Sequence, residues 1–382
     1  MTFSGGRRRR GEPRQERVTG LSRYLLPFLW SCGPYAEPGP GVTPGAGLAT
    51  SVPSGRLVYL HEEGEEKQVW ITELSDPSGD RELAGLPGQR YPGPAAPDGS
   101  DILVVVVEED GGGHRETPWR VPLSGAPPSR IAGPAGRFRS PSWSPDGSWL
   151  YAEWNGASLS GPPTGPDRPA SAVITADIFR FPRSGGEPAR LTSARFGSFE
   201  PAVGSDGRVL FASSRDGNAE IYLMNADGSH QRPLAPHPAD DTRPRWRSTT
   251  EVLFLSDRSG ARHVWRQTLD GGEPTPLRGE VPGHLDIDFS LSPDSRRVAV
   301  TTQTGPREVD LELWDLTSGQ MLARLDAPGP DEHPAWSPDS RWLVWTSSRG
   351  GDPDLWLLNA EGGEARPLVA RPGPDWLARW LP

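Results

Sequence analysis

A segment of about 45 residues recurs along this chain, and the repeat constrains the fold more than any other feature of the sequence. Its clearest copy spans residues 333–368, and a related copy spans residues 288–325. Asp294 and Asp339 hold the same place in these two copies and are 45 residues apart. A unit this short cannot bury its own apolar side chains, so neighbouring copies must pack against one another.

Each copy has the pattern of four short strands joined by tight turns. In the 333–368 copy, Pro338 fixes a backbone angle and Asp339 can hydrogen-bond back to the main chain, which is typical of a turn. The sequence predicts strands at 334–336, 342–345, 355–358 and 365–368, separated by turns at 337–340, 349–352 and 359–363. Stacking such sheets around an axis would cover both of their apolar faces.

The composition agrees with many short strands. The chain contains 46 Gly and 44 Pro among 382 residues, which disfavours long helices and favours turns. Only 34% of the residues are hydrophobic, but 15 are Trp, so large aromatic side chains can supply the core.

The two ends of the repeat region are complementary. Residues 380–382 match residues 336–338, whereas residues 53–56 stand where residues 338–341 stand in the clear copy. The last strand and the first three therefore complete one unit, which a linear array would not need. We expect an all-β fold over residues 53–382: a β-propeller of seven four-stranded blades, rather than six or eight, closed by pairing the C-terminal strand with the N-terminal blade.

These motifs resemble the TolB-type, WD-repeat-like propeller repeat, which has a PxWSPDG turn, an SxRxGxxxIY hairpin and an NxDG turn. The resemblance covers about residues 53–382, and residues before Arg137 depart most from the pattern. The positions that match are Asp146-Gly147, Asp206-Gly207, Asp294 and Asp339 in the first turn, Arg215-Asp216-Gly217, Arg258-Ser259-Gly260 and Arg349-Gly350-Gly351 in the hairpin, and Asn225 to Gly228 in the last turn. They are turn and core residues, so the resemblance implies the fold and no specific function.

The N-terminal residues resemble a bacterial lipoprotein signal. Residues 1–33 combine a basic stretch, a short apolar run and the single cysteine, Cys32, after which a Pro/Gly-rich linker covers residues 34–52. We expect lipidation at Cys32 and a location in the cell envelope, on the periplasmic side or the cell surface. The alternative is a disordered tail with an incidental cysteine, and translation could start at Met1 or at Val18.

Charge limits the class of partner. The chain has a net charge of −10, and its first 23 residues carry seven Arg and two Glu, so the remainder is more acidic still. An acidic body disfavours nucleic acid. No apolar run approaches the ~20 residues of a membrane span. We therefore expect a monomer that contacts the membrane only through a lipid anchor and binds a protein or peptide.

The sequence offers no recognisable catalytic constellation. It has no G-x-S-x-G motif, and a propeller would use nearly all of the residues, which leaves no room for a hydrolase domain of the type that accompanies similar propellers in prolyl-oligopeptidase-like enzymes. None of the seven histidines forms an H-x-x-H or H-E-x-x-H pair. The acidic clusters lack the spacing of a calcium loop. We expect no catalytic residue, no metal and no cofactor.

Binding is expected at one face of the ring. The hairpins between the second and third strands and the connections between blades must share a face, which we call the upper face. Residues there differ from blade to blade, as a binding surface would, although neutral drift would give the same result. The candidates just before the innermost strands are Glu200, Arg243, Asp288 and His333, with Ser140 in the same position, and the candidates in the hairpins are Arg215, Arg258 and Arg349.

One unit carries an insertion. Asp146 and Asp206 are 60 residues apart, and the excess lies at about residues 155–172, between the second and third strands. This Pro-, Gly- and Ser-rich stretch is either a tolerated loop or a contact loop on the upper face.

Three hypotheses follow for function. The first is a non-catalytic, envelope-tethered propeller that binds a protein or peptide. The second is a propeller enzyme, a lyase or hydrolase acting on a saccharide or peptide, with Glu200, Arg243, Asp288 and His333 at the channel mouth. The third is a structural scaffold, which the sequence does not separate from the first.

Overall fold

The computed structural model describes residues 54–83, 85–109, 114–131, 136–155, 176–194, 196–279, 281–369 and 371–382. These residues form seven four-stranded antiparallel sheets, each a blade of one ring. The prediction of a seven-bladed, all-β propeller is confirmed. None of the described residues belongs to a helix of the length and apolar character that crossing a lipid bilayer requires.

The strands follow the chain from the inside of each blade to the outside. In the first four blades they are β1 (Arg56–Glu63), β2 (Glu66–Glu73), β3 (Asp76–Glu82); β4 (Gln89–Ala95), β5 (Asp101–Glu109), β6 (His114–Pro122), β7 (Ser129–Arg130); β8 (Phe138–Trp143), β9 (Trp149–Trp154), β10 (Asp177–Pro182), β11 (Ala189–Arg190); β12 (Ser198–Val203), β13 (Val209–Ser213), β14 (Glu220–Met224) and β15 (Arg232–Pro233).

The last three blades repeat the arrangement. Their strands, with the strand that completes the first blade, are β16 (Asp241–Trp246), β17 (Glu251–Ser256), β18 (His263–Thr268), β19 (Thr275–Pro276); β20 (Leu285–Leu291), β21 (Arg297–Gln303), β22 (Val309–Asp315), β23 (Met321–Leu325); β24 (Asp331–Trp336), β25 (Trp342–Ser347), β26 (Asp354–Asn359), β27 (Arg366–Val369); and β28 (Asp375–Trp380).

The ring closes through the first blade. Strand β28 pairs antiparallel with β1, with Leu57 opposite Trp380 and His61 opposite Asp375. The His61 Nδ1 and Asp375 Oδ1 atoms lie 2.8 Å apart at this seam, and both side chains are buried. Closure by the C-terminal strand is therefore confirmed.

The core is divided among the interfaces between blades. Seven hydrophobic clusters are present, and each combines residues of two neighbouring blades. The cluster at the closing interface joins Leu57 and Tyr59 of the first blade to Val344 and Leu357 of the seventh. Stacking thus removes from water the apolar faces that a single blade would leave exposed.

Tryptophans at the ends of four innermost strands tie neighbouring blades together, and we call them the rim tryptophans. Each indole Nε1–H donates to a backbone carbonyl of the preceding blade, at 3.0–3.3 Å. The pairs are Trp143 to Pro94, Trp246 to Ala202, Trp336 to Ser290 and Trp380 to Ala335. Burying an indole is favourable only where its N–H has a partner, and the repeat supplies one.

The Ser-Pro-Asp turns follow the rim tryptophan position and lie on the lower face, opposite the upper face. Asp339 accepts hydrogen bonds from the Ser337 hydroxyl at 2.5 Å and from the Arg341 backbone N–H at 3.1 Å. Asp294 has the same two kinds of partner. The aspartate therefore serves the turn, as the sequence predicts.

Most innermost strands begin earlier than the sequence indicates. Strand β24 starts at Asp331, so His333 is its third residue and does not precede it. Its pairing with β25 skips from Glu332 to Ala335, and this β-bulge holds His333 and Pro334. A proline lacks the N–H that a regular strand ladder needs, and the sequence therefore predicted that this strand begins at Pro334. The bulge accommodates the proline inside the strand.

Candidate functional site

The bulges build one side of the central channel, and their first residues share a rare backbone conformation. Ser140, Glu200, Arg243, His333 and Leu377 are each the third residue of their strand, with φ between 49° and 56°. Only glycine adopts this left-handed region without a cost of roughly 1–2 kcal/mol. We call these five residues, with Asp288 of β20, the bulge ring.

Three predicted site residues meet in the bulge ring. The Arg243 Nη1 and Asp288 Oδ1 atoms form an ion pair at 2.8 Å. The Arg243 backbone N–H donates to Glu200 Oε2 at 2.5 Å, and the Glu200 backbone N–H donates to Glu153 Oε1 at 2.8 Å. A continuous polar chain therefore crosses the third, fourth, fifth and sixth blades.

Glu153 was missed by the sequence interpretation. It lies on β9 opposite Arg139, where other blades have Thr346, Ala212 or Leu255. A carboxylate at a position that is otherwise uncharged was the signal that could have revealed it. Burial raises the pKa of Glu153 to about 7; a hydrogen bond from Ser140 opposes this rise and the charge of Glu200 adds to it.

His333 belongs to the same electrostatic environment. Burial lowers the pKa of its imidazole to about 4, the charges of Arg379 and Arg243 lower it further, and the charge of Asp288 opposes them. Its ring is therefore neutral near pH 7. Arg243 and His333 lie on blades that are not neighbours, so their electrostatic interaction places them on the central channel, and Asp288 lies between them. The four candidate residues at the innermost strands are thus brought together.

Asp288 is the anionic centre of this group. Burial favours its neutral form, but Arg243 and Arg245 outweigh that effect and hold the pKa of Asp288 below its usual value. Glu332, next to the bulge in β24, behaves in the opposite way: burial raises the pKa of its carboxyl, and the charge of Asp288 adds to the rise. The channel therefore holds one well-paired carboxylate among others that bind protons more readily.

The hairpin arginines are located differently. The Arg258 guanidinium forms an ion pair with buried Asp241 at 2.6 Å and lies over the rings of Phe254 and Trp265. Within the same hairpin, its Nε–H donates to the Ser256 hydroxyl at 2.9 Å. The guanidinium group is thus already bound inside the blade.

Arg349 repeats this arrangement, and Arg215 repeats its contacts with an aromatic ring and a serine hydroxyl. Arg349 pairs with buried Asp331, at 2.9 and 3.0 Å, and lies 4.3 Å from the centre of the Trp356 ring. Arg215 lies over Tyr222 at 4.4 Å and donates to the Ser213 hydroxyl at 3.0 Å. The three hairpin arginines therefore lie within their own blades, apart from the bulge ring, and a ligand-binding role for them stays a prediction.

Several predicted features lie outside the described residues. Cys32, the 1–33 and 34–52 segments, and the insertion beyond Asn155 all do. Among the described residues, no group of three or more His, Cys, Asp or Glu side chains is placed to hold a metal ion.

A cavity of about 350 Å³ opens where the innermost strands end, on the lower side of the channel. Its walls come from four blades, and the lining side chains include four prolines, two rim tryptophans and one arginine. Those residues are Pro94, Pro293, Pro334, Pro382, Trp336, Trp380 and Arg379. The channel thus combines a polar ring with an apolar, Arg-containing cavity.

Known proteins share this architecture. The structure is similar to TolB from Acinetobacter baumannii, with a TM-score of 0.50, 16% identity and coverage of 86% of this chain and 83% of that one. It is also similar to a prolyl endopeptidase (TM-score 0.62, 13% identity, 82% of this chain and 48% of that one) and to an oligogalacturonate lyase in complex with manganese (TM-score 0.57, 13% identity, 84% and 86%). At these identities the similarity shows the fold alone.

Sequence comparison gives shorter matches. The chain is 29% identical over 87 residues to an uncharacterized protein of Agrobacterium fabrum and 30% identical over 101 residues to the uncharacterized peptidase YuxL of Bacillus subtilis. These matches span only 29% and 15% of the two relatives. The family model of the TolB β-propeller domain, PD40, matches residues 183–373, half of the chain. With the ring of seven blades, this match shows that the chain belongs to the TolB β-propeller domain family.

Proposed function

We propose that this protein is a non-catalytic binding module that takes an extended segment of a protein or peptide partner into its central channel. The observation that carries the proposal is the convergence of Glu200, Arg243, Asp288 and His333 on one channel. They come from four successive blades and differ in residue type, although each lies in or directly after a bulge of its innermost strand.

The difference in uniformity supports a ligand over a purely structural role. The rim tryptophans recur with the same hydrogen bond, and the hairpin arginines recur over an aromatic ring and beside a serine hydroxyl. The bulge ring, in contrast, contains Ser, Glu, Arg, Asp, His and Leu. Backbone strain held at several positions of one ring is a feature of functional sites, because a repeat that needed only shape could use glycine there.

The chemistry of the channel suits a polypeptide. Paired charges of both signs and backbone-bound carboxylates offer donors and acceptors to peptide N–H and C=O groups, and the apolar cavity below them can receive a side chain. An envelope location through a lipid on Cys32 is part of the same proposal. Mass spectrometry of the protein from its native membrane fraction tests it: a mature N-terminus at diacylated Cys32 is expected, and an unmodified one would contradict it.

Partner capture tests the channel itself. The tagged protein is recovered from its native envelope with Asp288→Asn, with Glu200→Gln and with Asp270→Asn, which alters an exposed lower-face turn of the fifth blade as a matched control. The first two variants should lose a partner that the wild type and the control retain, and titration calorimetry with that purified partner should reproduce the difference. Identical partners for all four folded proteins would exclude the channel as the site.

An enzyme is the second candidate, and the environments of Glu153 and His333 favour it. Glu153, with a pKa of about 7, could exchange protons near neutral pH, and burial keeps His333 of the same bulge ring neutral. Proteins of similar fold include a prolyl endopeptidase and an oligogalacturonate lyase. Turnover of a peptide or an oligogalacturonide by the wild type, abolished in Glu153→Gln, would establish catalysis and contradict the non-catalytic proposal.

A further inference from the structure

The residue preceding the rim tryptophan position forms a second ring, one step below the bulge ring. We call it the rim ring: Pro94, Ser142, Ala202, Arg245, Ser290, Ala335 and Arg379. Five of the seven residues are small or proline, and two are arginine. Small side chains leave space at this level, and Arg245 and Arg379 are the two members of the rim ring with long cationic groups, of which Arg379 lines the cavity.

The rim ring is held rigidly at the level of the cavity. Four of its carbonyl groups accept the hydrogen bonds of the rim tryptophans. Four of its residues also line the 350 Å³ cavity, namely Pro94, Ser290, Ala335 and Arg379. A site on this ring is therefore preorganised, which lowers the entropic cost of binding.

Neither arginine of the rim ring has an acidic partner within ion-pair distance among the described residues. Arg245 Nη1 donates to the carbonyl oxygen of adjacent Pro244 at 3.0 Å, and Arg379 Nη1 makes a long contact of 3.5 Å with the carbonyl oxygen of adjacent Ala378. Both side chains are half-buried. Arg243, two residues from Arg245, has the Asp288 carboxylate at 2.8 Å, so the contrast lies within one strand.

The two guanidinium groups also repel each other. Burial lowers the pKa of Arg379, the positive charge of Arg245 lowers it further, and the charge of Asp288 opposes both effects. Two half-buried cations that repel each other, and that have no carboxylate within ion-pair distance among the described residues, provide a reason for an anion to bind between them.

We propose that Arg245 and Arg379 together bind a carboxylate whose apolar substituent occupies the cavity lined by the rim tryptophans Trp336 and Trp380. Guanidinium groups match the planar carboxylate through paired N–H···O hydrogen bonds. The adjoining prolines and indole rings suit an aliphatic or aromatic substituent.

This inference rests on the proposed function and deepens it, because the C-terminal residue of a bound peptide has this chemistry. The cavity volume lies near the lower end of the range of about 300–1,000 Å³ for ligand sites, so it fits one or two residues and no folded domain. A free organic acid would offer the same carboxylate, and the experiment distinguishes these two sources.

The test uses the full chain and four probes in ligand-detected NMR titrations at low salt. The probes are 3-phenylpropanoate, its neutral amide, and N-acetyl-Ala-Ala-Phe with a free or an amidated C-terminus. The variants are Arg245→Gln, Arg379→Gln and, as a matched control, Arg266→Gln, an exposed arginine of the same blade as Arg245. Thermal unfolding accompanies each titration, because removing one of two repelling cations should leave Tm unchanged or raise it.

The expected result is binding of both acids with Kd at least about tenfold lower than for the corresponding amides, a preference lost in the two rim-ring variants and retained in Arg266→Gln. Equal binding of acids and amides by all folded variants would overturn the carboxylate site while leaving the peptide-binding proposal intact. Binding of 3-phenylpropanoate but not of the peptide acid would support the carboxylate site and count against a peptide ligand. Binding of none of the four probes would overturn the inference.

Discussion

Two sets of arginines in this propeller show how one residue type serves two purposes. In the hairpins, Arg258 and Arg349 lie over aromatic rings and pair with buried Asp241 and Asp331. In the channel, Arg243 forms an ion pair with Asp288 of the next blade. Among the described residues, neither Arg245 nor Arg379 has a carboxylate within ion-pair distance. The first set repeats with the fold, and the second set varies around the ring.

The difference teaches where to look for function in a repeat protein. A contact that recurs in several blades stabilises the blade, because every copy solves the same packing problem. A residue that differs from its equivalents while occupying the same backbone position answers a requirement that the fold does not impose. The contacts of the hairpin arginines Arg258 and Arg349 meet the first description. The bulge ring and the rim ring meet the second.

The largest expected effect on stability comes from the ion pair between the hairpin arginine Arg349 and Asp331. Asp331→Ala should lower the free energy of unfolding by about 3 kcal/mol, because it leaves Arg349 and the Trp345 indole N–H without their buried acceptor. Urea unfolding measures the loss. Asp352→Ala, an exposed aspartate of the same hairpin, serves as the control and should cost little. A loss as small as that of the control would show that the cluster is dispensable.

The channel should respond to pH through Glu153. Burial raises its pKa to about 7 from the 4.5 usual for a glutamate, so its contribution to stability is fully present below about pH 4.5 and is lost as the pH rises through 7. Relative to Glu153→Gln, the wild type should therefore lose roughly 2 kcal/mol of unfolding free energy between pH 5 and pH 8.

Chemical denaturation at a series of pH values checks this expectation. Glu364→Gln replaces an exposed glutamate of the seventh blade and should run parallel to the wild type at every pH. A wild-type curve parallel to that of Glu153→Gln would remove the argument that Glu153 is held protonated in the channel.

The rim tryptophans should give a smaller effect. Trp336→Phe removes the indole N–H that donates to the Ser290 carbonyl and part of a buried ring, so a loss of about 1.5 kcal/mol is expected. Trp376→Phe is the control, because the Trp376 Nε1 atom is buried without a hydrogen-bond partner in the described structure. Comparable losses in thermal unfolding of the two variants would show that the hydrogen bond between blades contributes little.

The smallest effect concerns backbone strain in the bulge ring. Ser140 has φ 49°, so Ser140→Gly relieves backbone strain, which should offset both the entropic cost of glycine and the lost hydrogen bond to Glu153 and leave the free energy of unfolding within about 0.5 kcal/mol of the wild type. Ser142, on the same strand, is outside the left-handed region and accepts a hydrogen bond from the Val203 backbone N–H, so Ser142→Gly should be destabilising by about 1 kcal/mol. A loss for Ser140→Gly as large as that for Ser142→Gly in urea unfolding would refute the assignment of strain to Ser140.

Much of the fold could be read from the sequence because its signals are local. The Ser337-Pro338-Asp339 turn, the alternation of strands and the match between residues 380–382 and 336–338 each depend on a few neighbouring residues. They predicted the blade, the blade number and the closing strand. The predicted start of most innermost strands was too late. Pro334 and the equivalent prolines indicate a strand boundary, whereas the structure places them in a bulge inside the strand.

The candidate site was only partly predictable, since it depends on distances between blades. Placing Glu200, Arg243, Asp288 and His333 near the channel required only strand direction. The sequence did not reveal that Arg258 and Arg349 turn toward aspartates of their own blades, because those aspartates lie 17 and 18 residues away. Arg245 and Arg379 went unnoticed, although their equivalents are small or proline, because the repeats were compared at the turn residues.

The closing seam also determines how the molecule can be made. Strand β1 is synthesised first among the described strands, yet its inner partner β28 is synthesised last. On the ribosome the intermediate blades can assemble in order, while β1 keeps an unpaired edge and the interface with the seventh blade lacks Ala378 and Trp380. A chain that stops before residue 375 remains an open ring and presents both features to chaperones and proteases. Only a chain synthesised through β28 can therefore pair the edge of β1 and close the ring.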